Sequence, residues 1–167
     1  ALIHNIVDGK KSNAITRYSN IFAILFDYLD HQKQEEIAKS VLHNDSIMRI
    51  TTPYMRFYEM EAMCKLGEQS QVLKEMKDYW GGMLSHGATT FWEDYDPAWG
   101  SNANRIDEIG DPARKNVRGD FGAYCYPGFR GSLCHGWASG PTAWLSRHVQ
   151  GFEVVQPGCR ALRIRPH

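Results

Sequence analysis

Residues 15–29 read ITRYSNIFAILFDYL, and the second half of that run is apolar on nearly every face of a helix. A helix that is hydrophobic all round has to be buried between neighbours, so an inner helix is predicted. After a break at DHQKQ (30–34), the stretch EEIAKSVL (35–42) sets Ile37, Ala38, Val41 and Leu42 on one stripe with charges opposite, the pattern of an outer, half-exposed helix. The alternation then returns. Thr52-Pro53 is a good helix start, because threonine can accept from the first free amides and proline at the first helical position loses no hydrogen bond. Tyr54 to Leu66 is the helix it opens, and Gly67 stops it. From Gln69 to Leu84, the residues Val72, Leu73, Met76, Tyr79, Trp80 and Met83 share one face, while Lys74, Glu75, Lys77 and Asp78 occupy the other. A last segment, Leu133 to Val149, is apolar and rich in small residues; Gly140 and Pro141 either kink it or mark its true start.

Inner helices alternating with amphipathic outer ones through short loops are what concentric rings of helices require. The predicted fold is therefore mainly α, part of an α/α toroid, although no sequence repeat is visible. Between Asp96 and Gly131 the chain is polar and rich in Gly, Pro, Asn and Asp, too long for a passive connection; such loops are usually functional or disordered. The chain starts on Ala1 without Met and ends on CRALRIRPH (159–167), which reads as a strand with no partner in sight, the pattern of a piece of something larger.

Composition narrows the function classes. Of 167 residues, 43% are hydrophobic and 23% charged, with 19 basic against 19 acidic, so neither nucleic acid nor an anionic membrane is expected as the main partner. No apolar run approaches the roughly eighteen residues that span a bilayer, and ALIHNIVDGKK has no signal-peptide pattern, so the chain carries no address. The four cysteines, Cys64, Cys125, Cys134 and Cys159, match neither a disulfide scaffold nor the paired spacing of a structural zinc site. Free, mostly buried thiols are expected, with no metal and no cofactor. No Ser stands in a G-x-S-x-G elbow and there is no phosphate-binding glycine loop.

The chemistry concentrates in GATTFWEDYDP (87–97). Glu93 falls on a loop leaving the outer helix, where rigid scaffolds present catalytic residues, and Phe91 and Trp92 beside it offer flat faces to a sugar ring. The bland reading is a helix cap or a surface partner for an arginine. His135, in SLCHGWASG (132–140), could hydrogen-bond a substrate hydroxyl or orient a carboxylate; a core histidine bonded to a backbone carbonyl explains it equally. Of the tryptophans, Trp80 and Trp144 are expected in the core, and Trp92, Trp99 and Trp137 on a ligand surface.

Three runs, TTPYMRFYEMEAMCKLG (51–67), YWGGMLSHGATTFWEDYDP (79–97) and SLCHGWASGPTAWLSRHVQG (132–151), resemble in order and character the C-terminal half of the catalytic domain of α-L-rhamnosidases, the family 78 glycoside hydrolases. ATTFWE and SLCHGWASGP are the specific parts, and GFEVVQPGCRALRIRP (151–166) is similar to the first strand of the β-sandwich that follows. The resemblance implies an (α/α)6 toroid over 1–150 and the start of a β-sandwich over 151–167. It also implies inverting hydrolysis of terminal α-L-rhamnosides. Glu93 then corresponds to the general base and His135 to a histidine that contacts the sugar, with Tyr54, Trp92 and Trp137 expected to line the pocket. Inversion needs a second carboxyl roughly 6.5 to 9.5 Å from the first. In the family that acid lies in an acidic motif well upstream, and no such motif occurs here. The partners implied are a rhamnose-containing glycoside and the remainder of the same catalytic domain. The competing readings are a non-catalytic carbohydrate-binding or interaction module, and a toroidal glycosidase for another sugar.

Overall fold

The computed structural model describes residues 1–116 and 132–167, and these are mainly helical. The helices are α1 (Arg17–Leu25), α2 (His31–Ile37), α3 (Pro53–Lys65), α4 (Gln69–Ser85) and α5 (Gly140–His148). Short strands pair as two small antiparallel sheets, β1 (Ile6–Val7) with β2 (Lys10–Lys11) and β5 (Phe152–Gln156) with β6 (Ala161–Ile164). A parallel contact joins β3 (Ala103–Asn104) to β4 (Lys115–Asn116). The chain divides into two compact units, Ala1–Ile50 with Met55–Val72, and Thr51–Tyr54 with Leu73–His167.

In the first unit, β1 and β2 join through Asp8 (φ 50°) and Gly9 (φ 74°), both left-handed as a tight hairpin turn demands. Asn20, fully buried on α1, accepts from the Leu2 N–H and donates to the carbonyls of Leu2 and Thr16, which ties down the N-terminal arm. The far end of α1 departs from expectation. Its last turn does not continue to Leu29, and Phe26 and Tyr28 are 63% and 75% exposed, so the apolar run is buried only through Ile24. Lys65 closes that end by donating to the carbonyls of Ile24 and Leu25. DHQKQ is no break either: Asp30 caps α2 by accepting the Lys33 N–H at 2.9 Å, and His31 is already helical. α2 runs on into a π-helical turn, Ala38–Leu42, whose Ala38, Val41 and Leu42 are buried.

α3 carries buried charges. Glu59, 1% exposed, receives Arg17 Nη1 on one oxygen at 2.6 Å and Arg56 Nη1 on the other at 3.1 Å. Gly67, at φ 82°, terminates the segment as anticipated, since only glycine adopts that angle without strain.

In the second unit α4 buries Met76, Tyr79, Trp80 and Met83 and exposes Lys74, Lys77 and Asp78, the face read from its period. Gly140-Pro141 proves to be the start of α5, preceded by a single 3-10 turn at Gly136–Ala138, and Trp144 on α5 is fully buried. Trp80 is buried as expected, its Nε1–H donating to the Ala138 carbonyl at 3.3 Å. The C-terminal segment has its partner inside the chain: CRALRIRPH supplies β6, which pairs with FEVVQ in β5, Phe152 opposite Ile164 and Val154 opposite Leu162. At Gly151 (φ 66°) any side chain would collide with the Arg165 carbonyl, so the hairpin closes only with glycine there.

Candidate active site

α4 ends at Ser85, and Gly87 (φ 88°) turns the chain into the segment that bears Glu93. Two contacts hold this segment to the helix and to the residues before α3. Tyr95 seats its hydroxyl end against Gly82, where a β-carbon would overlap it, and its N–H donates to the Thr51 carbonyl at 3.0 Å. The same carbonyl accepts the Tyr79 hydroxyl. The opposite edge pairs with residues 132–135. Glu93 N–H donates to the Ser132 carbonyl at 2.9 Å and His135 N–H to the Phe91 carbonyl at 2.8 Å, bonds at alternate residues as in an extended strand. The Thr90 hydroxyl adds a bond to the Leu133 carbonyl.

That pairing brings the two polar candidates together. Glu93 Oε2 accepts the Ser132 N–H at 2.9 Å and stands 3.9 Å from His135 Nδ1, and each side chain is 23% exposed. The separation suits an ion pair when the imidazole is protonated and is too long for a hydrogen bond. Glu93 therefore caps no helix; its ion-pair partner here is a histidine. Tyr54, in the first turn of α3, stacks on Trp137 with centroids 5.1 Å apart at 29°, and Trp137 in turn lies 4.7 Å from the His135 ring. Both aromatics stay accessible, Tyr54 at 40% and Trp137 at 59%. Carboxylate, imidazole and two exposed aromatic faces thus form one continuous surface, assembled from residues 54, 93, 135 and 137.

Trp92 is not part of it. The indole is 1% exposed and packs edge-on to Tyr95 at 6.1 Å, so its flat face is offered to the interior and not to a sugar. Alternation explains this: in an extended segment residues 92 and 94 point away from the side that carries 91 and 93. Asp94, not singled out in the sequence, alternates with Glu93 as Trp92 does and is half-buried. Burial pushes its carboxyl up to about 6, opposed by hydrogen bonds from the Thr51 hydroxyl and the Tyr95 N–H and reinforced by the charges of Glu93 and Asp96. The adjacent acids in WED were the only signal that could have pointed to it.

Of the described cysteines Cys64 is buried, whereas Cys134 and Cys159 are exposed, contrary to expectation. Cys125 and the side chain of Trp99 lie outside the described residues, as does much of the long polar loop. Among the described residues no group of three or more His, Cys, Asp or Glu could hold a metal ion, and no helix is long and apolar enough to cross a membrane.

No family model matches the chain, and no curated protein matches it. Solved structures do. The GH78 family rhamnosidase of Bacillus sp. GL1 aligns over 96% of this chain with a TM-score of 0.69 and 24% identity. The rhamnosidase from Klebsiella oxytoca, solved with rhamnose bound, aligns over 78% with a TM-score of 0.56 and 25% identity. The chain spans 15% of the first enzyme and 22% of the second. Over nearly all of its length, the chain resembles in three dimensions one segment of a family 78 rhamnosidase.

Proposed function

We propose that this chain contributes the base-bearing part of an inverting α-L-rhamnosidase, with Glu93 as general base and the general acid supplied from outside these residues. The observation that carries the reading is the convergence of Glu93 and His135, 42 positions apart in sequence, at 3.9 Å beside the Tyr54–Trp137 stack. In this reading the Ser132 N–H fixes the carboxylate plane through Oε2. Oε1 is then left to take a proton from the attacking water. His135 contacts a sugar hydroxyl, and the exposed aromatics take the apolar face of a deoxy sugar, as such rings commonly do. Residues 1–150 belong to an (α/α)6 toroid completed by the remainder of the same catalytic domain, and 151–167 open a β-sandwich. The partner is a terminal α-L-rhamnoside.

Inversion has a direct readout. The complete enzyme acting on an aryl α-L-rhamnoside should release β-L-rhamnose first, visible by proton NMR before mutarotation. Initial release of the α-anomer would remove the mechanism, and hydrolysis of a different aryl glycoside from a panel would reassign the sugar. Trp137→Ala is expected to raise KM by roughly tenfold or less while leaving kcat nearly unchanged, since a stacked aromatic contributes about 0.5 to 1.5 kcal/mol of largely uniform binding. A fall in kcat with unchanged KM would take Trp137 out of the binding surface.

A further inference from the structure

One cavity of the second unit has no part in the proposed chemistry. It measures about 240 Å3 and lies between the end of α4 and the segment that leaves it, with Trp80, Met83 and Leu84 on the helix side and Ala88 and Phe91 on the other. The surface it offers is almost entirely apolar. Trp80 already gives its Nε1–H to the Ala138 carbonyl, and the Thr90 hydroxyl at the rim goes to the Leu133 carbonyl, so neither donor is available to a ligand. The mouth is open to solvent, for Leu84 is 66% exposed and Thr89 and Thr90 are exposed beside it.

Two observations join this cavity to the Glu93 centre. His135 N–H donates to the Phe91 carbonyl at 2.8 Å, which sets the Phe91 wall across from the histidine that stands 3.9 Å from Glu93. Phe91 and Glu93 also alternate onto one side of the same extended segment, and two residues of such a segment span about 6.6 Å. Inverting hydrolysis puts the departing oxygen at a like distance from the base, since roughly 6.5 to 9.5 Å separate the two carboxyls that flank the sugar. A wall one such step from Glu93 therefore stands where the leaving group is expected, beyond the sugar itself.

The lining chooses between kinds of leaving group. A second sugar would bring hydroxyls that need partners, and burying them against Trp80, Met83 and Phe91 is unfavourable. A planar apolar ring needs none. An apolar cavity of about 150 Å3 is enough for benzene, so this one admits one aromatic ring with room for a second fused to it. We propose that the cavity is the leaving-group subsite of the Glu93 centre and takes the ring of a phenolic aglycone, so that the preferred substrates are α-L-rhamnosides of phenols and not of another sugar. The subsite role rests on the rhamnosidase reading; the capacity of the cavity for an aromatic ring does not.

Binding is measured without turnover, by adding 2-naphthol to the 167-residue chain. The Trp80 indole N–H and the methyls of Met83 and Ala88 should shift together along one saturable curve in proton NMR. Ala88→Leu, which fills the cavity with side chain, and Leu84→Ser, which strips apolar wall at an exposed position, should each weaken that binding by roughly tenfold. Resonances that do not move, or that respond in both variants as in wild type, overturn the proposal.

Specificity is measured in the complete enzyme. Both variants should lower kcat/KM for 2-naphthyl α-L-rhamnoside at least about tenfold more than for methyl α-L-rhamnoside, whose leaving group does not reach the cavity, and a rhamnosyl-glucose disaccharide should follow the methyl glycoside. Equal losses on all three substrates would make the variants merely structural, and losses as large on the disaccharide as on the naphthyl glycoside would make the cavity a sugar subsite; either overturns the proposal. Hydrolysis of no α-L-rhamnoside at all would instead sink the rhamnosidase reading, and the subsite role with it, leaving the naphthol titration to decide whether the cavity takes an aromatic ring.

Discussion

Glu93→Gln in the complete enzyme should lower kcat on an aryl α-L-rhamnoside by about two to four orders of magnitude, with KM or the Kd for rhamnose changed little. The glutamine keeps the size of the side chain and an oxygen for the Ser132 N–H, so the pairing of residues 91–93 with 132–135 has no reason to open. What it loses is the ability to accept a proton from water. Loss of turnover with retained binding is the signature of a group needed only on the way to the transition state. Turnover within a factor of a few of wild type would return Glu93 to the role of a strut between two loops and favour the non-catalytic binding module, which needs Tyr54 and Trp137 but no base. A small nucleophilic anion such as azide offers a further check, because one that needs no deprotonation should restore part of the variant's rate.

The second large effect concerns stability. Glu59→Gln should destabilise the chain by about 3 to 5 kcal/mol, since it leaves Arg17 and Arg56, both nearly buried, without the carboxylate that lies between them. For a chain of this size that is a fall in melting temperature on the order of 10 °C. Glu59 shares its two oxygens between two guanidiniums, and Arg17 Nε has no partner among the described residues. Replacing all three by leucine should recover most of the loss, because the penalty comes from stranded charge more than from any net strength of the pairs. A Glu59→Gln variant within about 1 kcal/mol of wild type would mean water reaches the cluster.

Much of the helical content was legible because its signals are local. Thr52-Pro53, Gly67 and Gly140-Pro141 each act through backbone geometry at one position, and the structure begins or ends a helix at each. Period also gave the buried face of α4. It could not say what stands opposite a face, which is why Phe26 and Tyr28, apolar in sequence, are exposed here. The Asp8-Gly9 hairpin is readable from its turn residues, and Asp30 from its place before α2, where DHQKQ looked like a break. Glu93, His135, Tyr54 and Trp137 were picked out as candidates, but their adjacency was not legible, since it depends on pairing between stretches some forty residues apart. Trp92 does not stand where its place in the sequence suggested, for one reason. Proximity to Glu93 along the chain was taken as proximity in space, whereas an extended backbone sends alternate side chains to opposite sides.

Gly82 leaves a notch in α4 where any other residue would place a side chain. Glycine inside a helix ordinarily weakens it, and α4 carries two in succession. At Gly82 the missing side chain is the socket in which Tyr95 rests, two residues from Glu93. A single methyl at that point has no room unless the phenol retreats, and the phenol shares its backbone anchor with the segment of the carboxylate. The helix therefore works as a lever arm whose fulcrum is an absent atom: a side chain added at position 82 has to displace Tyr95, and with it the segment that carries Glu93.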